Sequence, residues 1–173
     1  MNKAALIEEV RKLLAGDTTR VAAERATEAV LAAGATPERI SYGNTIKKAR
    51  DIRYFYERGV RMFATDSDAD VRNIAKAAPG SKVYVRVLTE GSQTADWPLS
   101  RKFGCEPAMA VDVLMHAHAL GLEAYGISFH VGSQQTRLEA WDTALAESKA
   151  IFDAMQARGI VLDSATVILT CAD

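Results

Sequence analysis

The feature that most constrains the fold is a repeated alternation of short apolar strands and amphipathic helices that begins after Pro37. Strands are predicted at 39–42, 60–65, 82–88, 124–129 and 165–170. Helices are predicted between them, at 46–58, 69–78, 107–120 and 138–158. Strands separated by helices are joined by right-handed crossovers and form a mostly parallel sheet. Five strands cannot close an eight-stranded barrel, so this α/β pattern predicts a partial TIM-type barrel or an open doubly wound, flavodoxin-like sheet.

The residues before this alternation have a purely helical pattern. Apolar side chains recur at helical spacing over 2–15 and again over 19–33, and Gly16 and Gly34 are the expected stops. Two short helices in succession predict an αα-hairpin with close, alanine-rich packing. The sequence therefore predicts an N-terminal helical hairpin at 1–34 followed by a βα-repeat domain at 35–173.

Composition and charge exclude several classes of function. The net charge is −1, which argues against non-specific DNA binding through a global positive field. Two cysteines, Cys105 and Cys171, fit neither a disulfide framework nor metal-ligand spacing, and the histidines at 116 and 118 point about 200° apart on a helix, so no metal site is predicted. The charged N-terminal helix is unlike a signal peptide and no apolar run reaches membrane-span length, so a cytoplasmic protein is expected.

The stretch 124–135, AYGISFHVGSQQ, carries the most specific chemistry. Strand alternation places Tyr125, Ile127 and Phe129 on one face, and Gly126, Ser128 and His130 on the other. Gly132 and Ser133 follow, and they can offer backbone N–H groups and a hydroxyl to an anion. Two interpretations stay open from these residues alone: a core histidine before an ordinary turn, or an active-site histidine at the carboxyl end of a barrel strand.

Several stretches, in order, resemble the alanine-racemase-like barrel domain of the PLP-dependent (pyridoxal phosphate-dependent) ornithine, lysine, diaminopimelate and arginine decarboxylases. They are VLAAGATPERISYGNTIK (30–47), MFATDSDAD (62–70), YVRVLT (84–89), LSRKFG (99–104) and GISFHVGSQ (126–134). The resemblance spans about residues 30–163 and is strongest to the ornithine decarboxylase branch.

This resemblance implies PLP as cofactor, an amino acid as substrate and a homo-oligomer. By position, His130 would stack on the PLP ring, Ser133 and Gly132 would help to hold its phosphate, and Arg86 would line the cavity. Lys102 would lie in a loop tied to a dimer interface. Competing interpretations remain for Arg86, which could pair with Asp66 or Asp68, for Ser133, which could cap a turn, and for Lys102, which could be solvated surface.

The chain also departs from the family. The Schiff-base lysine of the family lies in a motif like AVKAN, followed by a strand like FDVAS, and we find neither motif. Lys47 and Lys48 follow the first strand, Lys82 begins a strand at the wrong end of the sheet, and Lys102 is in a loop. The family's glycine-rich phosphate loop and its later β-domain would lie beyond residue 173. These departures predict no catalytic residue in the chain, little or no activity alone, and weakened PLP binding.

The first 33 residues are also similar to the opening helical hairpin of bacterial histone-like HU proteins, which begin MNK-x-x-LI. The basic β-ribbon arms with which those proteins enter the DNA minor groove have no counterpart here. Two abutting resemblances suggest a fragment or chimera of a decarboxylase domain. The alternatives are a self-associating, non-catalytic α/β scaffold and, with less support, a histone-like DNA-binding module.

Overall fold

A computed structural model describes residues 20–89, 103–132 and 139–167 of the chain. The chain divides into two compact units, Met1–Ile40 and Ser41–Asp173. The predicted helix at 2–15 and the last three residues of the predicted fifth strand lie outside the described residues. The packing of two helices into an N-terminal hairpin therefore stays a prediction.

In the first unit, helix α1 spans Arg20–Ala32. It ends where the N–H of Gly34, which has a φ of 90°, donates to the carbonyl of Leu31 at 2.9 Å. A short 3-10 turn, Pro37–Arg39, follows and has proline in its first turn. Because these residues are in the turn, the strand that we predicted from residue 39 begins at Ser41.

The second unit contains five strands and four helices among the described residues. The strands are β1 (Ser41–Tyr42), β2 (Met62–Thr65), β3 (Lys82–Val87), β4 (Glu123–Phe129) and β5 (Ser164–Val167). The helices are α2 (Ala49–Glu57), α3 (Asp68–Ala77), α4 (Pro107–Ala119) and α5 (Glu139–Gln156). Helix α2 begins three residues later than predicted, because Ile46–Lys48 continue the loop after β1.

The order of the strands distinguishes the two predicted architectures. All neighbouring strands are parallel, and their order across the sheet is β1-β2-β3-β4-β5. Consecutive helices also contact each other, α2 with α3, α3 with α4 and α4 with α5. A sheet that grows in one direction with right-handed crossovers keeps its helices on one side, as in a TIM barrel, whereas a doubly wound sheet reverses its order. The prediction of a parallel α/β sheet is confirmed, and the order is that of a partial barrel.

The hydrophobic core lies between the helices and one face of the sheet. Phe63, Val83, Val85, Ile127 and Phe129 are on this face and are almost completely buried. The helices contribute further fully buried side chains, chiefly Ile52, Val71, Ile74, Leu114 and Ile151. Burial of aliphatic side chains on one face is what fixes the register of the strands, because a slip of one residue would expose the whole set.

Strand β4 contains an irregularity that the sequence pattern did not predict. Val83 of β3 pairs with Ala124, but Tyr84 pairs with Gly126, so Tyr125 is an extra residue on β4. The ring centroid of Tyr125 lies 4.3 Å from the Nζ atom of Lys82, at the amino end of β3. The predicted alternation, with Tyr125, Ile127 and Phe129 on one face, is interrupted by this bulge. Ile127 and Phe129 share one face as predicted, and the ring of Tyr125 contacts Lys82.

Replacement of Gly126 tests the close approach of β4 and β5. A Cβ atom at this position would overlap the backbone carbonyl oxygen of Ser164. We expect Gly126→Ala to lower the free energy of unfolding by about 3 kcal/mol, because neither backbone can move without losing strand hydrogen bonds. The control is Gly43→Ala, whose added Cβ would have an ordinary 3.8 Å contact with the Tyr84 hydroxyl. Urea denaturation compares them, and equal stability of the two variants would contradict this packing.

Candidate functional site

Arg86 and His130 lie on the sheet face opposite the hydrophobic core, at the carboxyl end of the strands. Arg86 of β3 is paired in register with Ser128 of β4, and His130 follows two residues later on the same face. Gly126 and Ala64 are also on this face. Tyr84 of β3 lies between them on the same face, so small side chains and one tyrosine surround a cation and an imidazole at the edge where barrel enzymes place their active sites.

The position of His130 is fixed from two sides. The hydroxyl of Thr89, just after β3, donates to the His130 carbonyl at 3.2 Å, and the N–H of Gly132 donates to its Nδ1 at 2.9 Å. The residue is 9% exposed. Burial lowers the pKa of the imidazole, and the positive charge of Arg86 lowers it further. The lowered pKa favours a neutral ring at physiological pH.

Arg86 is held in place by a segment that returns to β3. Cys105 forms a parallel bridge with Val87: its N–H donates to the Arg86 carbonyl at 3.0 Å, and its carbonyl accepts from Leu88 N–H at 2.9 Å. The guanidinium carbon of Arg86 lies 5.8 Å from the ring centroid of Phe103. Burial is the main reason why the pKa of the Cys105 thiol rises to about 12, which disfavours the thiolate that a nucleophile requires.

Two carboxylates that were possible partners of Arg86 are engaged elsewhere. Asp66 Oδ2 accepts from the N–H of Gly104 at 2.9 Å, and Asp68 Oδ1 is 2.9 Å from Nδ1 of His116. Among the described residues, Arg86 forms no ion pair with either carboxylate. The charge of Arg86 acts on the imidazole of His130, whose pKa it lowers.

Lys47 is the buried charge that the sequence analysis did not identify. Its side chain is fully buried, and its Nζ lies 2.5 Å from Oδ2 of Asp70 on α3. The same Nζ donates to the carbonyl of Asn44 at 2.9 Å and to the carbonyl of Ala64 in β2. Burial lowers the pKa of Lys47 and raises that of Asp70, and each charge opposes the shift of the other. Lys47 thus connects the loop after β1, the end of β2 and the start of α3.

These contacts decide what Lys47 can do chemically. An ammonium group has three N–H donors, and Lys47 has three acceptors within hydrogen-bonding distance. A lysine that binds an aldehyde needs an amine with an accessible lone pair. Lys47 is fixed and desolvated, as such a lysine must be, but its hydrogen-bonding capacity is already used within the fold.

The remaining lysines of the described residues are remote from this face or exposed. Lys82 is at the amino end of β3 and pairs with Glu123 at 3.3 Å, while Lys48, Lys76 and Lys149 are on the surface. Two predicted positions, Ser133 and Lys102, lie outside the described residues, and so do Lys3 and Lys12. The roles predicted for Ser133 and Lys102 therefore stay predictions.

Two other kinds of site are absent from the described parts of the chain. No group of three or more His, Cys, Asp or Glu side chains is arranged to hold a metal ion there. No helix in these ranges is both long and apolar enough to cross a bilayer.

Comparison with known proteins identifies the family. Residues 3–167 match the sequence profile described as "Pyridoxal-dependent decarboxylase, pyridoxal binding domain". The chain belongs to the pyridoxal-dependent decarboxylases. The match includes residues 3–33, so the segment that resembles the HU hairpin falls within the match to the decarboxylase domain.

Individual members of the pyridoxal-dependent decarboxylases are clearly related in sequence. The lysine/ornithine decarboxylase of Selenomonas ruminantium is 34% identical over 162 residues, which cover 92% of this chain and 41% of that protein. Ornithine decarboxylase of Rattus norvegicus is 36% identical over 120 residues, 69% of this chain and 26% of the relative. Antizyme inhibitor 2 of Xenopus laevis is 31% identical over 126 residues, 73% of this chain and 27% of the relative. The chain spans less than half the length of each.

The fold agrees with solved structures of the family. An SrLDC mutant in complex with PLP superposes with a TM-score of 0.76 and 26% identity, over 95% of this chain and 48% of that one. The sequential parallel sheet is therefore part of the barrel of a pyridoxal-dependent decarboxylase.

The buried Lys47–Asp70 pair can be tested by mutation. We expect Lys47→Met to lower the free energy of unfolding by about 3–5 kcal/mol, because the buried Asp70 carboxylate loses its counter-charge. Lys47→Met combined with Asp70→Asn should recover only part of this loss, since the carbonyls of Asn44 and Ala64 still lack their donor.

A matched surface pair provides the control for this experiment. Lys149 and Asp153 have the same 2.5 Å Nζ–Oδ2 distance, but their side chains are 74% and 59% exposed. Lys149→Met should change the free energy of unfolding by less than about 0.5 kcal/mol. Chemical denaturation measures the free energy of unfolding of both variants. A similar loss of stability in Lys47→Met and Lys149→Met would contradict the structural role of Lys47.

The electrostatic coupling between Arg86 and His130 predicts a measurable pKa change. Arg86→Met should raise the pKa of His130 toward the ordinary value of 6.5, without reaching it, because burial still disfavours the charged ring. Since the folded-state pKa lies below the unfolded one, the stability linked to His130 is complete above pH 6.5 and is lost as the pH falls below it.

An NMR titration of the imidazole signals follows this change. The control is Arg158→Met, because Arg158 donates to the carbonyl of Ala154 at the end of α5 and carries the same charge. A His130 pKa that is unchanged in Arg86→Met, or shifted equally in both variants, would show that the two side chains are not coupled.

Proposed function

We propose that this chain forms the PLP-facing part of a decarboxylase for basic amino acids such as ornithine or lysine. In this proposal the His130 ring lies against the cofactor ring and Arg86 lines the cavity beside it. Ser133 would contribute to phosphate binding from outside the described residues. When bound, PLP supplies an electron-withdrawing ring that weakens the bonds at the α-carbon of an amino acid.

One observation carries the proposal. Arg86 and His130 project from adjacent parallel strands on the same face, at the carboxyl edge of a barrel-ordered sheet. A cation suits the anionic phosphate and carboxylate groups of such ligands, and a neutral imidazole has a flat face for stacking on an aromatic ring. Gly126, Ser128 and Ala64 are small neighbours on this face, and Tyr84 is a large one. These residues fit the non-covalent part of a PLP site.

The described residues do not fit the covalent part of such a site. Lys47 donates to three acceptors, Lys82 is at the opposite end of its strand, and the other described lysines are on the surface. We therefore propose that the chain alone binds PLP without a covalent link through these lysines and has little or no decarboxylase activity.

Lys3 is the first lysine to examine if a covalent link does form. The family match begins at this residue, and Lys3 is followed by alanine, as the lysine is in an AVKAN-type motif.

A non-catalytic scaffold is the second candidate. It is supported by the relationship to a protein named antizyme inhibitor 2, whose name describes inhibition and not decarboxylation. Self-association would suit this function. The side chains of Ile46 and Phe103, which follow β1 and β3 respectively, are 73% and 46% exposed and are available for an interface at the carboxyl edge.

Titration with PLP followed by borohydride reduction and peptide mapping tests the first proposal. We expect PLP to bind and His130→Ala to weaken binding about tenfold, because stacking on an aromatic ring contributes up to roughly 1.4 kcal/mol. The control is His116→Ala, which removes a partly exposed imidazole that pairs with Asp68 on the outer helices. Carbon dioxide release from ornithine and lysine should stay at background.

Three outcomes would count against the proposal. Reduced adduct on Lys47 would show that its hydrogen bonds can be exchanged for a covalent link. Adduct on Lys3 together with carbon dioxide release would show that the chain is an active enzyme. Failure to bind PLP at all would favour the non-catalytic scaffold.

A further inference from the structure

The hydrogen bond between Gly132 and His130 defines the state of the imidazole. The Gly132 N–H points at Nδ1 of His130, and the N–N distance is 2.9 Å. Both residues are buried, so water does not readily replace this bond. The Nδ1 atom must therefore offer a lone pair, which it has only when it carries no proton.

This requirement selects one of three protonation states. A neutral imidazole has one N–H and one acceptor nitrogen, and an imidazolium has two N–H groups. With Nδ1 as acceptor, the ring is neutral and its proton is on Nε2. The charge of Arg86, which faces His130 from β3, and the burial of the ring both lower the pKa of His130 and favour the same neutral state.

We propose that Gly132 is a positioning residue that fixes His130 as the neutral Nε2–H tautomer, and that it does not donate its N–H to the cofactor phosphate. The effect on ligand binding rests on the proposed function. The tautomer of His130 is a property of the ligand-free protein and does not depend on that function. A backbone N–H that is committed to an imidazole 2.9 Å away is not offered to a phosphate oxygen. The anion-binding role predicted from the Gly-Ser sequence would then fall to other groups.

The backbone at this position explains why the residue is glycine. The φ angle of Gly132 is +107°, in a region that residues with a Cβ atom rarely adopt. A side chain would move the backbone toward negative φ and turn the N–H away from Nδ1. The sequence His130-Val131-Gly132 thus contains both the ring and the donor that orients it.

The first experiment reads the tautomer directly. Long-range 1H–15N spectra of the chain labelled with 15N-histidine distinguish protonated from unprotonated Nδ1 in the ligand-free protein. We expect His130 to be the Nε2–H tautomer in the unaltered chain and to become a mixture in Gly132→Ala. Finding Nδ1–H or the imidazolium in the unaltered chain at neutral pH overturns the proposal, even if the variant does not fold.

A matched glycine variant controls for backbone strain. Gly121 has a φ of +77°, and an added Cβ there would meet no atom within 4 Å. Gly121→Ala should therefore carry a similar backbone penalty and leave the tautomer of His130 unchanged. A tautomer change in both variants would show that the effect is not specific to the bond with Gly132.

The second experiment separates positioning from phosphate binding by comparing pyridoxal with pyridoxal phosphate. If Gly132 acts through His130, Gly132→Ala weakens both ligands by the same factor, about fivefold, and adds little to His130→Ala. Loss of affinity for pyridoxal phosphate alone would show a direct phosphate contact and overturn the proposal. If neither ligand binds the unaltered chain, the proposed function fails and the tautomer measurement still decides the role of Gly132.

Discussion

The register between β3 and β4 is the constraint on which the rest of the site depends. It pairs Arg86 with Ser128 and so brings a guanidinium and the imidazole of His130 to one edge of one face. The register is held by Val83, Val85 and Ile127, which must stay on the opposite, buried face. The bulge at Tyr125 absorbs one residue at the amino end and leaves the carboxyl end of β4 in phase with β3.

Much of the fold could be predicted from the sequence because hydrophobic periodicity and glycine stops are local signals. The alternation of strands and helices predicted the parallel sheet. The predicted bounds of β3 and α4 differ from the observed ones by one residue at their ends. The choice between a barrel order and a doubly wound order could not be made, because it depends on which strands pair across the sheet. The late start of α2 was missed for a similar reason: Lys47 reaches the carbonyl of Ala64, seventeen positions further along the chain.

Only part of the candidate site could be predicted from local sequence patterns. His130 and Arg86 could be found because a strand pattern and a family motif coincide there, and the structure places them together. The burial of Lys47 could not be predicted, since a lysine just before a helix is usually exposed, and its partner Asp70 lies 23 positions away in the sequence. The bond from Gly132 to Nδ1 depends on a φ angle, and sequence indicates only that glycine would permit it.

The bridge between Val87 and Cys105 has a consequence for how this domain could diversify. Thr89 leaves β3 bonded to the carbonyl of His130, and Cys105 comes back to bond with the same strand, so both ends of the intervening stretch are anchored beside Arg86. The entropic cost of closing a loop grows only with the logarithm of its length. Changes of sequence length between Thr89 and Phe103 would therefore cost little stability, while the guanidinium keeps its place.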